Sequence, residues 1–229
     1  MGSSRSYVKP LIIMAVMVAL AIGAGLFLVK RQSPEASGSD VLTSPLDFKP
    51  VITTKGWNKG NPNAKTVLVE FGDFQCAACA AARLPVMRIV EKHSQDLLLV
   101  FKHYPLPQVH RNSMIAAQAA EAAGRQFRFW EMYDVLFQKQ SEWSAIPDPL
   151  TYFLKYAADL QLDLERFRQD LWDGQLRDKI LRDVLEGQVG GVKSVPTFFV
   201  NGNMLPRPQN DSHFEDMIAD AIKKAHETK

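Results

Sequence analysis

The order of apolar and polar positions divides the chain into three stretches. From Leu11 to Val29 no charged or strongly polar side chain interrupts the run. As a helix it would extend roughly 28 Å, close to the hydrocarbon thickness of a bilayer. From about Gln32 to Pro50, Ser, Pro, Gly and Asp prevail, which is the make-up of a linker. The third stretch carries the periodicities of a folded domain. Lys55 to Lys65 reads as a Gly/Asn/Pro turn region. Thr66-Val67-Leu68-Val69-Glu70-Phe71 is a nearly continuous apolar run of strand length, expected for a strand buried on both faces, with Glu70 as the exception. Asp96 to Phe101 is a second such run. Between them a helix is predicted from Cys76 through Ala80, Ala81 and Ala82 to about His93, kinked at Pro85. Strand, helix and strand at these lengths make a βαβ unit with a parallel sheet.

From Arg111 to about Val189 the spacing turns helical. Ser113 is placed to cap a helix running to Gly124. Phe129, Trp130, Tyr133, Leu136 and Phe137 share one face of the next, and at that spacing the stripe reads as core rather than as a cofactor pocket. Asp148-Pro149 opens a third helix. Leu164, Phe167 and Leu171 mark a fourth, and Ile180, Val184 and Leu185 a fifth that stops at Gly190-Gly191. Strand character returns at Thr197 to Val200, and Asn201-Gly202 is a two-residue hairpin signal. A last helix is expected from Ser212, with Glu215 completing a capping box and Phe214, Met217, Ile218, Ala221 and Ile222 facing the core. The fold class is α/β.

Charge refines this picture at the N-terminus. Formal net charge is +2 over 229 residues. Four basic residues, Arg5, Lys9, Lys30 and Arg31, flank the first apolar run, so removing them from the 27 leaves 23 basic against 25 acidic. A nearly neutral remainder carries no nucleic-acid stripe and suits a protein that acts on polypeptides or small molecules. The apolar run exceeds a cleaved signal core and no clear Ala-x-Ala site follows it, so residues 1–31 are expected to be an uncleaved signal-anchor. A cleaved signal peptide and a buried core helix are the alternatives, and the flanking charges balance too closely to set orientation. The expected organisation is the anchor, a linker over 32–55 and a domain over 56–229.

The chain has two cysteines, Cys76 and Cys79, three positions apart where the first buried strand meets its helix. Two cysteines placed at random in such a chain would fall at that spacing about 1 time in 100. A helix start leaves N–H groups unpaired and carries roughly half a positive charge, which stabilises a thiolate. Cys76 comes first and is expected to be exposed. Cys79 lies one turn on, on the same face and nearer the sheet. A bridge enclosing so few residues hardly constrains the unfolded chain, so cycling is a better use for it than structure. Half a zinc site would need a second cysteine pair or histidines at ligand spacing, and His93, His103, His110, His213 and His226 do not provide it. A soft-metal carrier site and two inert core cysteines are the remaining alternatives. A second motif, Gly191 to Gly202, sets Pro196 directly before a strand.

These residues together resemble the DsbA-like thiol-disulfide oxidoreductases, a thioredoxin-like fold with an inserted α-helical domain. The resemblance runs from about Trp57 onward. It rests on Gly60-Asn61-Pro62-Asn63-Ala64, Val69-Glu70-Phe71, Asp73-Phe74-Gln75-Cys76, Phe101 to Leu106, Ala116 to Trp130, and Val195-Pro196-Thr197-Phe198. It implies an insertion over about 108–190, Cys76 as nucleophile, Cys79 as resolving thiol, a cis Pro196, and Val195 presenting backbone to substrate. It further implies that Glu70 is a buried carboxylate that relays the proton of Cys79, with Lys102 on the neighbouring strand as its partner. The chain departs from that pattern between the cysteines, where the family usually has a proline, and strong oxidants often a histidine. Here both residues are alanine. The expected function is oxidation of thiols in reduced or unfolded polypeptides outside the cytoplasmic membrane of a bacterium. No metal or organic cofactor is needed, and the resemblance implies a quinone-linked membrane partner for reoxidation. The alternatives are a reductase or isomerase using the same site, and a non-catalytic holdase gripping peptide around Phe74, Val195 and Pro196.

Overall fold

The computed structural model describes residues 52–227. The expected membrane-spanning run and most of the linker lie outside the described residues. Among the described residues no helix is long and apolar enough to cross a membrane. The elements follow in the order β1 (Trp57–Gly60), β2 (Thr66–Gly72), α1 (Ala77–Lys92), β3 (Leu97–His103), α2 (Ser113–Gly124), α3 (Phe129–Gln138), α4 (Gln140–Trp143), α5 (Leu150–Asp159), α6 (Leu164–Leu171), α7 (Gly174–Val189), β4 (Thr197–Val200), β5 (Asn203–Met204) and α8 (Asp211–Glu227).

The strands form one sheet in the order β1-β3-β2-β4-β5. β2 and β3 are parallel, as their buried apolar runs and the intervening helix predict, and the other pairings are antiparallel. β3 is buried along its whole length, and β2 at every position but Val67. Side chains alternate between the faces of a sheet. On one face Leu68, Leu97, Leu99, Phe198 and Val200 pack with Val86, Ile89 and Val90 of α1 and Phe214, Ile218 and Ile222 of α8. On the other, Val69, Phe71, Leu98, Val100 and Phe199 pack with Ile52, Tyr104 and Val192. The helical block α2–α6 builds its own apolar core, and Phe74, Cys79 and Phe101 reach into it. This is the thioredoxin-like fold with an α-helical insertion that the sequence predicts.

Local chemistry explains where the elements begin and end. α1 buries Cys79, Arg83, Val86 and Val90 along one stripe and runs past Pro85 to Lys92. Asn201 (φ 47°) and Gly202 (φ 77°) supply the left-handed pair that a tight β4–β5 hairpin requires. Four details differ from the expectation. Trp57–Gly60 is a strand and not a turn, because Trp57 anchors it. The Trp57 ring stacks on Phe129 at 4.2 Å and its Nε1 donates to Glu121 at 2.7 Å. α8 begins one residue early and is capped by Asn210, whose Oδ1 accepts from the His213 N–H, while Glu215 pairs with Lys92 across to α1. Ser113 is the first residue of α2 and its hydroxyl caps nothing. Residues 52–55 pack into the domain: Ile52 is buried and the Thr53 N–H donates to Glu186 at 2.6 Å.

Candidate active site

The site forms where β2 ends. Strand pairing sets Phe71 opposite Thr197, so the loop before β4 lies beside Gly72, four residues ahead of Cys76. Cys76 takes the N-cap position of α1 with extended backbone (φ −78°, ψ 121°). Its thiol is half-buried, Cys79 is fully buried, both are free, and the two approach to 3.7 Å. Ala77 and Ala78 between them are exposed. The Val195–Pro196 bond is cis, and the Cys76 thiol donates to the Val195 carbonyl at 3.6 Å. A groove of about 500 Å³ continues from there, lined by Ala78, Ala82, Pro196, Phe198, Leu205 and Phe214.

The two thiols are driven apart electrostatically. The hydrogen bond from the Cys79 thiol is the largest influence on Cys76. Together with the N–H groups of Cys79 and Ala78 it lowers the Cys76 pKa from 9.0 to about 6, against burial and the charge of Asp73. Burial first, then its hydrogen bond to Cys76 and the charges of Cys76 and Glu70, push the Cys79 thiol well above its ordinary range. One sulfur is therefore a stable thiolate near neutral pH and the other holds its proton, the polarity needed for an attacking and a resolving thiol.

Glu70 lies on the sheet face that looks toward α1, and neither carboxylate oxygen has a protein partner. Burial alone raises its pKa from 4.5 to about 8. Its Oε1 reaches along the strand toward the site, 3.6 Å from where a Cβ on Gly72 would stand. Gly72 is needed there, since that Cβ would lie 2.6 Å from the Phe101 ring. Lys102 is not the partner of Glu70. The parallel register puts Glu70 beside Phe101 and Phe71 beside Lys102, so the lysine emerges on the opposite face. There its ammonium donates to Glu186 at 2.8 Å, to the Thr53 hydroxyl at 3.2 Å and to the Lys55 carbonyl. Phe74 is not a substrate contact either. It is 1% exposed and its ring packs among Phe101, His103, Tyr133 and Phe137, where the active-site loop meets the helical block. Pro196 and Val195 line the groove beside Cys76.

Residue types with little sequence signature brace the loop. Gln140 Nε2 donates to the carbonyls of Phe74 and Cys76. Gln75 Nε2 donates to the Ser144 carbonyl and its Oε1 accepts the Asn112 N–H. Asp73, three residues before Cys76, is buried and accepts from the N–H groups of Gln75 and Leu106 and from His110 Nδ1. Its place in the turn before the cysteine was legible. Its partner His110, 37 positions on, was not.

Comparison with known proteins fits this geometry. Residues 53–220 match the family model described as Thioredoxin. The chain belongs to the thioredoxin family. Within that family its fold is the DsbA-like one, with the helical insertion. It superposes on alpha-DsbA1 of Wolbachia pipientis with a TM-score of 0.67 at 22% identity, covering 77% of this chain and 95% of that one. On oxidised BdbD of Bacillus subtilis the TM-score is 0.67 at 20% identity, covering 76% and 96%. A sequence relative, Na(+)/H(+) antiporter NhaA 1 of Salinispora arenicola (strain CNS-205), is 40% identical over 176 residues. That match takes in 77% of this chain but 26% of the antiporter, so the chain spans about a quarter of the length of the curated relatives it matches.

Proposed function

We propose that the protein is a thiol-disulfide oxidoreductase that oxidises thiols of reduced or unfolded polypeptides outside the cytoplasmic membrane, held there by the run Leu11–Val29. The observation that carries the oxidising direction is the stabilised Cys76 thiolate. A disulfide is more oxidising the more its reduced form is stabilised, and a nucleophilic cysteine near 6 lies below thioredoxin's (about 7) and above that of the strong oxidant DsbA (about 3.5).

The reaction follows from the geometry. In the oxidised protein a substrate thiolate attacks Cys76 Sγ, forming a substrate–Cys76 disulfide and breaking the Cys76–Cys79 bond. Cys79 departs buried and with a high proton affinity, so it must take a proton. Glu70, buried, neutral below about pH 8 and close enough for its charge to act on Cys79, is the donor. A second substrate thiolate then attacks the substrate sulfur of the mixed disulfide. Cys76 leaves as the stabilised thiolate, the substrate gains a disulfide, and two electrons remain on the protein. The groove beyond Pro196, open and lined by apolar side chains together with Arg207, Asn210 and Asp211, suits an unfolded chain laid beside Val195. Reoxidation needs an external acceptor, and a quinone-linked membrane protein is the proposed one.

Incubation of the oxidised protein with a reduced, unfolded polypeptide tests this. Disulfide formation that vanishes in Cys76→Ala is the expected result. Suppression of aggregation that survives Cys76→Ala, with no disulfide formed by either protein, would instead identify a holdase.

A further inference from the structure

The loop after β3 closes around the carboxylate of Asp73. Val109 and His110 turn back through N–H bonds to the Leu106 carbonyl at 3.0 and 2.8 Å. The Leu106 N–H and His110 Nδ1 both meet Asp73 Oδ2, at 3.0 and 2.8 Å. Asp73 has no side-chain exposure and His110 keeps 25% of its own. The Asp73 carbonyl in turn accepts the Cys76 N–H at 3.1 Å, so the carboxylate is fixed at the base of the turn that carries the sulfur. Ala77 and Ala78 bring no polar side chain to Cys76. The side-chain charge that acts on its thiol is that of Asp73, beside the hydrogen bond from Cys79, and Glu70 acts on Cys79. Among the described residues His110 is the basic side chain paired with Asp73.

We propose that His110 is a positioning residue for the redox chemistry: by donating to Asp73 it limits how much negative charge reaches Cys76, and so sets the oxidising strength of the pair from a loop outside the Cys-x-x-Cys. This rests on the reading of Cys76 as the reactive thiol. Asp73 opposes the Cys76 thiolate. A donor on Asp73 draws that charge away, partly as a neutral imidazole and more fully as an imidazolium. Removing the donor and removing the charge must therefore act on Cys76 in opposite directions, whereas simple damage to the loop would move both the same way.

The test is the pH dependence of Cys76 alkylation in the reduced full-length protein, with thiolate absorbance as a second readout. His110→Ala is expected to raise the midpoint by about half a pH unit, a roughly threefold loss of thiolate on the acid side. His110→Gln, which keeps a donor, should restore most of it, and Asp73→Asn should lower the midpoint below that of the unaltered protein. With Asp73→Asn already present, His110→Ala should have no further effect. An unchanged midpoint in His110→Ala, a shift of the same sign in His110→Ala and Asp73→Asn, or a full His110→Ala shift surviving in the double variant overturns the proposal. Alkylation reads the thiolate whatever the direction of catalysis. Loss of oxidase activity with these shifts intact would thus count against the proposed function and leave the role of His110 standing.

Discussion

At the scale of single residues, the site is a set of proton affinities set by position. Cys76 lies at the open end of a helix and is half exposed, while Cys79, one turn on, is sealed in the core. Alkylation of the reduced protein should therefore modify Cys76 alone below about pH 8, with a rate that rises through a midpoint near 6. Equal modification of both thiols would contradict the assignment. The depressed Cys76 affinity also stabilises the reduced fold as pH rises from about 6 toward 9, a gain lost again as pH falls through 6. Glu70 has the opposite sign. Its folded pKa of about 8 exceeds the ordinary 4.5, so the folded state holds a proton that the unfolded chain releases. Its contribution is complete below about pH 4.5 and declines to about pH 8, at a limiting slope of about 1.4 kcal/mol per pH unit. Glu70→Gln should flatten that decline in denaturation curves measured across the same window. It should also slow turnover while the fold persists. Unchanged kinetics would remove Glu70 from the mechanism.

At the scale of elements, what could be read in advance depended on whether an element's cause lay in its own sequence. The apolar runs of β2 and β3, the Asn201-Gly202 hairpin and the apolar stripe of α8 carry their cause within themselves, and each was legible. β1 was not, since Trp-Asn-Lys-Gly holds one strongly apolar residue and forms a strand because Trp57 finds Phe129, Glu121 and the Gly124 backbone. A Cβ on Gly124 would overlap that indole. Gly124→Ala should accordingly cost about 1–3 kcal/mol by urea denaturation and expose the Trp57 fluorophore, with the Cys76 midpoint unmoved. In the same way, Lys102 looked like a partner for Glu70 until register was known, because one residue of register chooses the face of the sheet. Lys102→Met leaves Glu186 and Thr53 without their buried cation. It should destabilise by about 3 kcal/mol or more in the same denaturation assay, without touching alkylation of Cys76.

At the scale of the whole molecule, the helical insertion does more than enlarge the domain. The Gln140 and His110 side chains and the Asn112 backbone N–H reach back to the active-site loop, and the insertion's core encloses Phe74 and Cys79. The cysteine pair and the proline before β4 were visible in the sequence because their chemistry is local. The bracing amides and the Asp73–His110 contact were not, because they join residues far apart in the chain through ordinary residue types. One quantity is decisive, the reduction potential of the Cys76–Cys79 couple, measured on the protein equilibrated against glutathione. A thiolate stabilised as Cys76 is should give a value above thioredoxin's, between about −270 and −120 mV. A potential at or below about −270 mV would contradict the oxidising role and make the site a reductant.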